Sequence, residues 1–301
     1  MDQAQKWIYR LLFREAYREK RGDEFQDWFC ELAAHVWGPD FERVRPYGAQ
    51  GDFKCDGRRI STRSIFQCYA PKTPKAAELN KKIRDDFDGA LKHWPDMAEW
   101  IFVFGDKDGL PPSTSQLLSE LRTTNDGIAI SLWTQPALEV LAEEMPPRGW
   151  EILFGLVPSQ NSFEALALED LQPVVEELAK QQPEPGEEPL EPPSAEKLER
   201  NALSDEAEGL LRLGRRKEAL VERYFRNTAI PDLGEQIAEA FRRRYAELKT
   251  ATLPPEQIFT NLQRFAGGME GSPARQGAVL AVLSYYFERC DIFEDANEEA
   301  A

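Results

Sequence analysis

The stretch Gly51-Asp52-Phe53-Lys54-Cys55-Asp56-Gly57, followed after a polar turn by Ser64-Ile65-Phe66-Gln67-Cys68-Tyr69, decides how this chain is read. Each half has strand-like composition, and Asp56-Gly57 is a turn dipeptide, so the spacing predicts a hairpin closed around that pair. Such a hairpin sets the carboxylate of Asp52 beside the amide oxygen of Gln67. Two oxygens on neighbouring strands suit a hard cation such as Mg²⁺, which prefers oxygen ligands and keeps several waters. A metal so held activates water and stabilises a phosphoryl transition state. The plain alternative is a surface hairpin with an ordinary aspartate.

Upstream, Phe25, Trp28, Phe29, Leu32, Ala33, Val36 and Trp37 recur at helical spacing, which predicts an amphipathic helix from Gly22 to Trp37 with Glu24 at its start. Phe41 to Pro46 reads as a short alternating strand. Helix, strand and hairpin in this order, with Gly22-Asp23-Glu24-Phe25-Gln26 and Gly51-Asp52, resemble the restriction-endonuclease-like (PD-(D/E)XK) fold, in its Mrr-type and defence-effector branches. The resemblance covers about the first third of the chain. It implies Glu24 as the helix acid, Asp52 as the metal-binding aspartate and Gln67 as a further metal ligand, with Mg²⁺ or Mn²⁺ as cofactor. The family's Gln-x-Lys pattern puts a lysine where this chain has Tyr69, so the usual cation of the site is missing. Lys54, two residues after Asp52 and expected on the same strand face, and Lys72, just beyond the second strand, are the candidate replacements. Tyr69 itself offers a hydroxyl donor without charge at neutral pH, or simply a packing residue at a strand end.

Downstream, Leu79, Ile83, Phe87, Leu91 and Trp94 predict a helix over about 73–94, and Glu99 to Phe104 a buried strand. A helix near 113–121, a strand over 127–133 and a helix around 136–144 follow. Helices alternating with apolar strands make an α/β layer fold, here a mixed sheet flanked by helices. Residues 180–194 then carry five prolines and four glutamates, which is linker composition. Beyond it the pattern is helical. Leu233, Ile237, Phe241, Tyr245 and Leu248 form one stripe, a second helix starts near Pro254-Pro255 and ends at Gly267-Gly268, and a third runs from Pro273 to about Cys290. The expected partition is therefore 1–180 (nuclease-like α/β), 181–197 (linker) and 198–295 (small all-helical docking domain). Ile292 and Phe293 are expected to dock either on that bundle or on a partner.

The segment Ala278 to Glu294, AVLAVLSYYFERCDIFE, resembles the C-terminal domains of bacterial ABC-three-component systems, a group that includes the Lamassu-type antiphage systems. That resemblance implies a defence effector working with an ABC ATPase of the structural-maintenance-of-chromosomes (SMC) type and a small third subunit, with homo-oligomerisation on activation as a further expectation.

The net charge of −16 argues against nucleic acid as a partner until its distribution is counted. Residues 1–100 hold 18 Lys and Arg against 17 Asp and Glu, so the surplus acid lies almost wholly in 101–301. Near the candidate site, Arg58, Arg59, Arg63, Lys72, Lys75, Lys81, Lys82 and Arg84 are available to neutralise phosphates. Four cysteines without a CxxC pair and only two histidines leave no zinc pattern and suit a reducing cytoplasm. No apolar run reaches membrane-spanning length, and Met1 to Lys6 lacks a signal-peptide core. No glycine-rich dinucleotide or P-loop fingerprint supports a small-molecule α/β enzyme. Two functions follow: a metal-dependent endonuclease effector acting on nucleic acid, DNA being expected, or a catalytically inactive nuclease-fold module that binds nucleic acid or a partner.

Overall fold

Five of the six residues of strand β3 (Ser64–Tyr69) are buried, where an exposed hairpin would alternate. Continuous burial is the mark of a strand covered on both faces. The computed structural model describes residues 1–45, 53–106, 109–179, 201–230, 232–268, 271–289 and 292–293. In it β3 is the middle of a five-stranded mixed sheet ordered β1-β2-β3-β4-β5. Strands β1 (Phe41–Arg43), β2 (Gly57–Arg59) and β3 run antiparallel, while β4 (Glu99–Phe104) and β5 (Ala129–Trp133) extend the sheet in parallel.

Each face of β3 has its own cover. Ile65 packs into a cluster with Leu79, Ile83, Phe87 and Ala90 of α3 (Ala76–His93) and Leu117, Leu118 and Leu121 of α4 (Pro112–Thr124). Phe66 points the other way, its ring 5.4 Å from Phe29 and 5.4 Å from Trp37 of α2 (Asp23–Trp37) and 5.5 Å from Trp133. Helix α2 forms where the apolar stripe predicts it and stops at Gly38, whose φ of 53° is a conformation that a side chain disfavours. Its N-terminus is tied to the end of β3, Gly22 N–H donating to Ala70 O at 2.9 Å. Helix α1 (Gln3–Glu19), which the sequence reading passed over, ends on this side with Tyr17 donating to Phe104 O at 2.7 Å. Helices α5 (Gln135–Glu143) and α6 (Pro147–Phe154) follow β5.

The hairpin differs from the expected one. Its first strand is Gly57–Arg59 rather than 51–56, and the turn lies at residues 60–63. Asp40 stabilises that turn, its carboxylate accepting from Ser61 N–H at 2.7 Å and Ser61 Oγ at 2.6 Å. Gly57 starts the strand because the Phe41 ring of β1 lies across it, where a Cβ would overlap the ring. Phe53 and Lys54 form a turn of their own with φ of 53° and 58°, so Lys54 does not sit on a strand face.

The remaining helices make a second compact unit, formed by residues 1–12 with those from 156 on, against 13–155 for the first. This grouping divides the chain earlier than the expected boundary at 180. The reason is packing: α8 (Leu168–Ala179) buries Leu171, Val174, Val175 and Leu178, and it and α7 (Gln160–Glu164) lie against α13 (Pro273–Glu288). The expected linker, 181–197, falls wholly outside the described residues. Helices α9 (Asp205–Arg215), α10 (Glu218–Asn227), α11 (Leu233–Thr250) and α12 (Pro255–Phe265) complete the unit.

Every residue of α13 from Gly277 to Phe287 is buried, which marks it as the central helix. Helix α9 approaches it closely at Gly214, where a Cβ would overlap Ser284 Oγ. Tyr286 donates to Gly234 O at 2.9 Å. Of the two expectations for Ile292 and Phe293, docking on the bundle is the one observed: both are buried, and the Phe293 ring lies 5.4 Å from Phe287 and 5.2 Å from Tyr245. Among the described residues no helix is long and apolar enough to cross a membrane.

Proteolysis within 181–197, where composition predicts susceptibility, should therefore leave two fragments that co-elute on gel filtration and separate only in denaturant. The buried face of α8 stays with α13 after the cut. Separation of the fragments in native buffer would contradict this packing.

Candidate functional site

The sequence-predicted residues lie on and around β3 as follows. Gln67 is 3 % exposed, and its Oε1 is a buried acceptor with no hydrogen-bond partner among the described residues. Leaving such an atom unpaired costs about 1–3 kcal/mol, so this position calls for a donor or a cation. Tyr69 shares the sheet face of Ile65 and Gln67. Its ring stacks on Phe104 at 6.4 Å, and burial, with Glu78 and Asp86 nearby, pushes its ionisation above the usual phenol range. Glu24 is exposed in the first turn of α2, whose start is bonded to the end of β3. Lys72 is exposed beyond β3. Asp52 lies outside the described residues.

Two acids that the sequence reading did not single out are built into this region. Asp56, read there as half of a turn dipeptide, is 2 % exposed. Its carboxylate accepts the Cys68 N–H at 2.7 Å, its own N–H donates to Phe66 O at 2.8 Å, and its C=O accepts from Val44 N–H at 3.0 Å. It therefore joins β1 to β3 at the residue between Gln67 and Tyr69. Its charge adds to burial in pushing the Cys30 thiol up to about 12, and it acts in the same direction on Cys68. These thiols stay protonated and are not nucleophiles at neutral pH.

Asp86, on α3, is fully buried and pairs with two ammonium groups, Lys82 Nζ at 2.5 Å and Lys54 Nζ at 3.1 Å. Lys82 reaches it by i,i+4 spacing. Lys54 reaches it from the turn before β2. That turn is held to the end of α3 by Trp94 Nε1–H donating to Phe53 O at 3.2 Å and by Phe53 lying 4.6 Å from His93. The Lys54 stem crosses α3 at Gly89, where a Cβ would overlap Lys54 Cγ. A sequence signal existed for Asp86: an acid on the apolar stripe of α3, flanked by Ile83, Phe87 and Ala90, with a lysine four residues earlier.

The expected phosphate-neutralising surface is partly spent on internal pairs. Arg58 meets Asp96 at 2.7 Å, Arg59 meets Asp40 at 2.9 Å, Lys75 meets Glu78 at 3.0 Å and Arg84 meets Glu120 at 3.1 Å. Arg58 and Arg59 also lie over the rings of Trp94 and Trp37. As for a metal, the donors gathered on β3 are oxygens, as Mg²⁺ requires, and the unpaired Gln67 Oε1 fits one coordination position. Among the described residues no group of three His, Cys, Asp or Glu comes together to hold an ion.

The Lys54–Gly89 crossing yields a signed prediction. Gly89→Ala gains about 1 kcal/mol of helix propensity but costs about 1–3 kcal/mol in overpacking, so the variant should be less stable in urea unfolding. In a Lys54→Gly background the same substitution should stabilise, because the overlapping atoms are gone. Equal effects in both backgrounds would mean that Lys54 does not cross α3 there.

Comparison with known proteins reaches only the helical part. Neither the curated proteins nor the solved structures give a match. Residues 169–294, which run from the start of α8 past Phe293, match the family model described as C-terminal domain 10 of the ABC-three component (ABC-3C) systems, so this portion of the chain is similar to a domain of those systems.

Proposed function

We propose that this chain is the effector of an ABC-three-component antiviral defence system, and that its α/β unit is a Mg²⁺- or Mn²⁺-dependent endonuclease. The system-level part rests on the similarity of residues 169–294 to a C-terminal domain of such systems. Its partners are an ABC ATPase, SMC-like in the reading above, and a small third subunit. The helical unit docks them, and the substrate is nucleic acid, DNA in the first instance. A nuclease active by itself would attack its host, so partner engagement, with or without homo-oligomerisation, is the control step.

The nuclease part is supported by the order helix α2, antiparallel β1-β2-β3, crossover α3 and parallel β4, with the unpaired Gln67 Oε1 on its central strand. Glu24, Asp52 and Gln67 would hold the metal, which supplies an activated water and charge stabilisation at phosphorus. Asp56 anchors β3 beside that set. Tyr69, kept protonated, donates a hydrogen bond, and exposed Lys72 reaches toward a phosphate. A second reading, a binding scaffold without catalysis, is favoured by one observation: Tyr69 stands where the cation is expected, stacked on Phe104.

A plasmid-nicking assay with Mg²⁺, Mn²⁺ or EDTA, on the chain alone and with its co-encoded partners, separates the two readings. Nicking should require metal and be abolished by Asp52→Ala. Retention of nicking in Asp52→Ala with loss in Asp56→Asn would move the essential carboxylate to Asp56. Lys72→Met or Lys54→Met should slow the reaction by at least about 10²-fold if either replaces the missing lysine. No nicking under any condition leaves the scaffold reading.

Affinity capture with the full chain should retrieve the co-encoded ABC ATPase. Failure to do so, with all three components present, would sink the docking role.

A further inference from the structure

We propose that the rings of Phe53 and His93 form a stacking platform for an unpaired base of a nucleic-acid strand, with Arg63 and Lys92 beside it to meet the flanking phosphates. The proposal rests on the nucleic-acid reading above for its ligand; the platform itself follows from the geometry and is separate from the candidate metal site.

The two rings lie 4.6 Å apart, tilted by 33°. Phe53 is 37 % exposed, although Cys55, two residues later, is fully buried. Phe53 also holds left-handed backbone, φ 53°, a conformation that L side chains disfavour. Trp94 fixes it there, its Nε1–H donating to Phe53 O at 3.2 Å. Arg58 braces Trp94 in turn, its guanidinium 5.2 Å from the ring centroid and 2.7 Å from Asp96. A strained turn, clamped by Trp94, thus holds an aromatic ring with more than a third of its surface in water. Packing alone would turn that ring inward, and strain kept up at a solvent-facing ring points to function.

The cations stand at the same end of the sheet. Arg63 also has left-handed backbone, φ 53°, and its C=O accepts from Ala98 N–H at 3.1 Å, four residues past Trp94. Lys92 precedes His93 in the last turn of α3. Both are exposed, and neither is in an ion pair with a described residue. Of the acids here, Asp96 is engaged by Arg58, and Glu99 accepts from Ser64 Oγ at 2.9 Å and Ser131 Oγ at 3.1 Å. Asp88, exposed one turn before Lys92, sets one negative charge against the two. A flat π-face with cations beside it matches a base and its phosphates, and it serves a single strand, whose bases have open faces. Arg63 precedes β3 and Tyr69 ends it, and the strand between spans about 17 Å. A base held on the platform therefore belongs to a different nucleotide from one placed at Gln67.

The test is fluorescence anisotropy of a labelled oligothymidine with the full-length chain in EDTA, followed as log K against log salt, with a duplex of the same length and free thymidine monophosphate as further arms. Phe53→Ala should weaken oligothymidine binding by at least about 5-fold, the low end for one base–aromatic stack, and leave the salt slope unchanged. Phe53→Tyr should keep the affinity. Lys92→Met and Arg63→Met should each flatten the slope by about 0.7, the value of one phosphate contact on a single strand. Val140→Ala, an exposed control on α5, should change neither quantity. Urea unfolding checks the fold of each variant, and His93→Ala, expected to act as Phe53→Ala does, decides alone if Phe53→Ala does not fold. Unchanged affinity in the folded ring variants, an equal loss on the duplex, displacement by an equal concentration of thymidine monophosphate, or no binding of the oligothymidine overturns the platform. Because EDTA excludes metal-dependent cutting, a Phe53-dependent affinity without nicking in Mg²⁺ keeps the platform and overturns the nuclease reading. Nicking without a Phe53-dependent affinity does the reverse.

Discussion

A parallel pair of strands cannot be closed by a tight turn, and β3 and β4 are such a pair, in register from Ser64 opposite Glu99 to Tyr69 opposite Phe104. The chain between them must leave the sheet, cross one face and return, and α3 is that crossover. Because the crossover lies over the face carrying Ile65, Gln67 and Tyr69, its residues meet the chemistry of β3. Leu79, Ile83 and Phe87 close the core, and Asp86 and Lys82 arrive at the polar end. The opposite face, with Phe66, is sealed by α2 and Trp133. Of the candidate residues, Gln67, Tyr69 and Asp86 therefore lie on one face of the sheet, while Glu24 belongs to the helix that covers the other.

The two buried acids do different work. Asp56 acts through the backbone, its carboxylate and main chain joining three strand segments, so it fixes where β2 begins and where Gln67 points from. Asp86 acts through charge, gathering lysines from two distant segments of sequence. One sets positions and the other sets potential.

The sequence made the regular elements legible because their stripes were long. α2, α3, β4, α5, α11 and α13 stand within a few residues of where periodicity put them. Short elements were harder. β2 is only Gly57–Arg59, with no alternation to read, and its start depends on Phe41 crossing Gly57, a contact between strands. The hairpin was thus drawn one strand too early, which put Lys54 on a strand face it does not occupy. The strand that carries Gln67 and Tyr69 was legible because it is strongly apolar. Asp56 was hidden by its resemblance to turn chemistry, and Asp86 by its place among three other charged residues between Arg84 and Asp88. Likewise the proline-rich composition after 180 drew attention away from α7 and α8, whose burial depends on a helix more than a hundred residues later.

That late helix has a consequence for synthesis. α13 is buried on every side from Gly277 to Phe287, yet among the described residues it follows every other helix of its unit. On the ribosome, α7 to α12 emerge before the surface they are to cover exists. Their apolar faces must wait, paired only loosely with one another or held by a chaperone, until residues 273–288 appear. The helical unit is therefore organised by a helix made after those it holds, and a chain that stops before residue 273 lacks that core. This ties any function that depends on the packed helical unit to synthesis having passed residue 288.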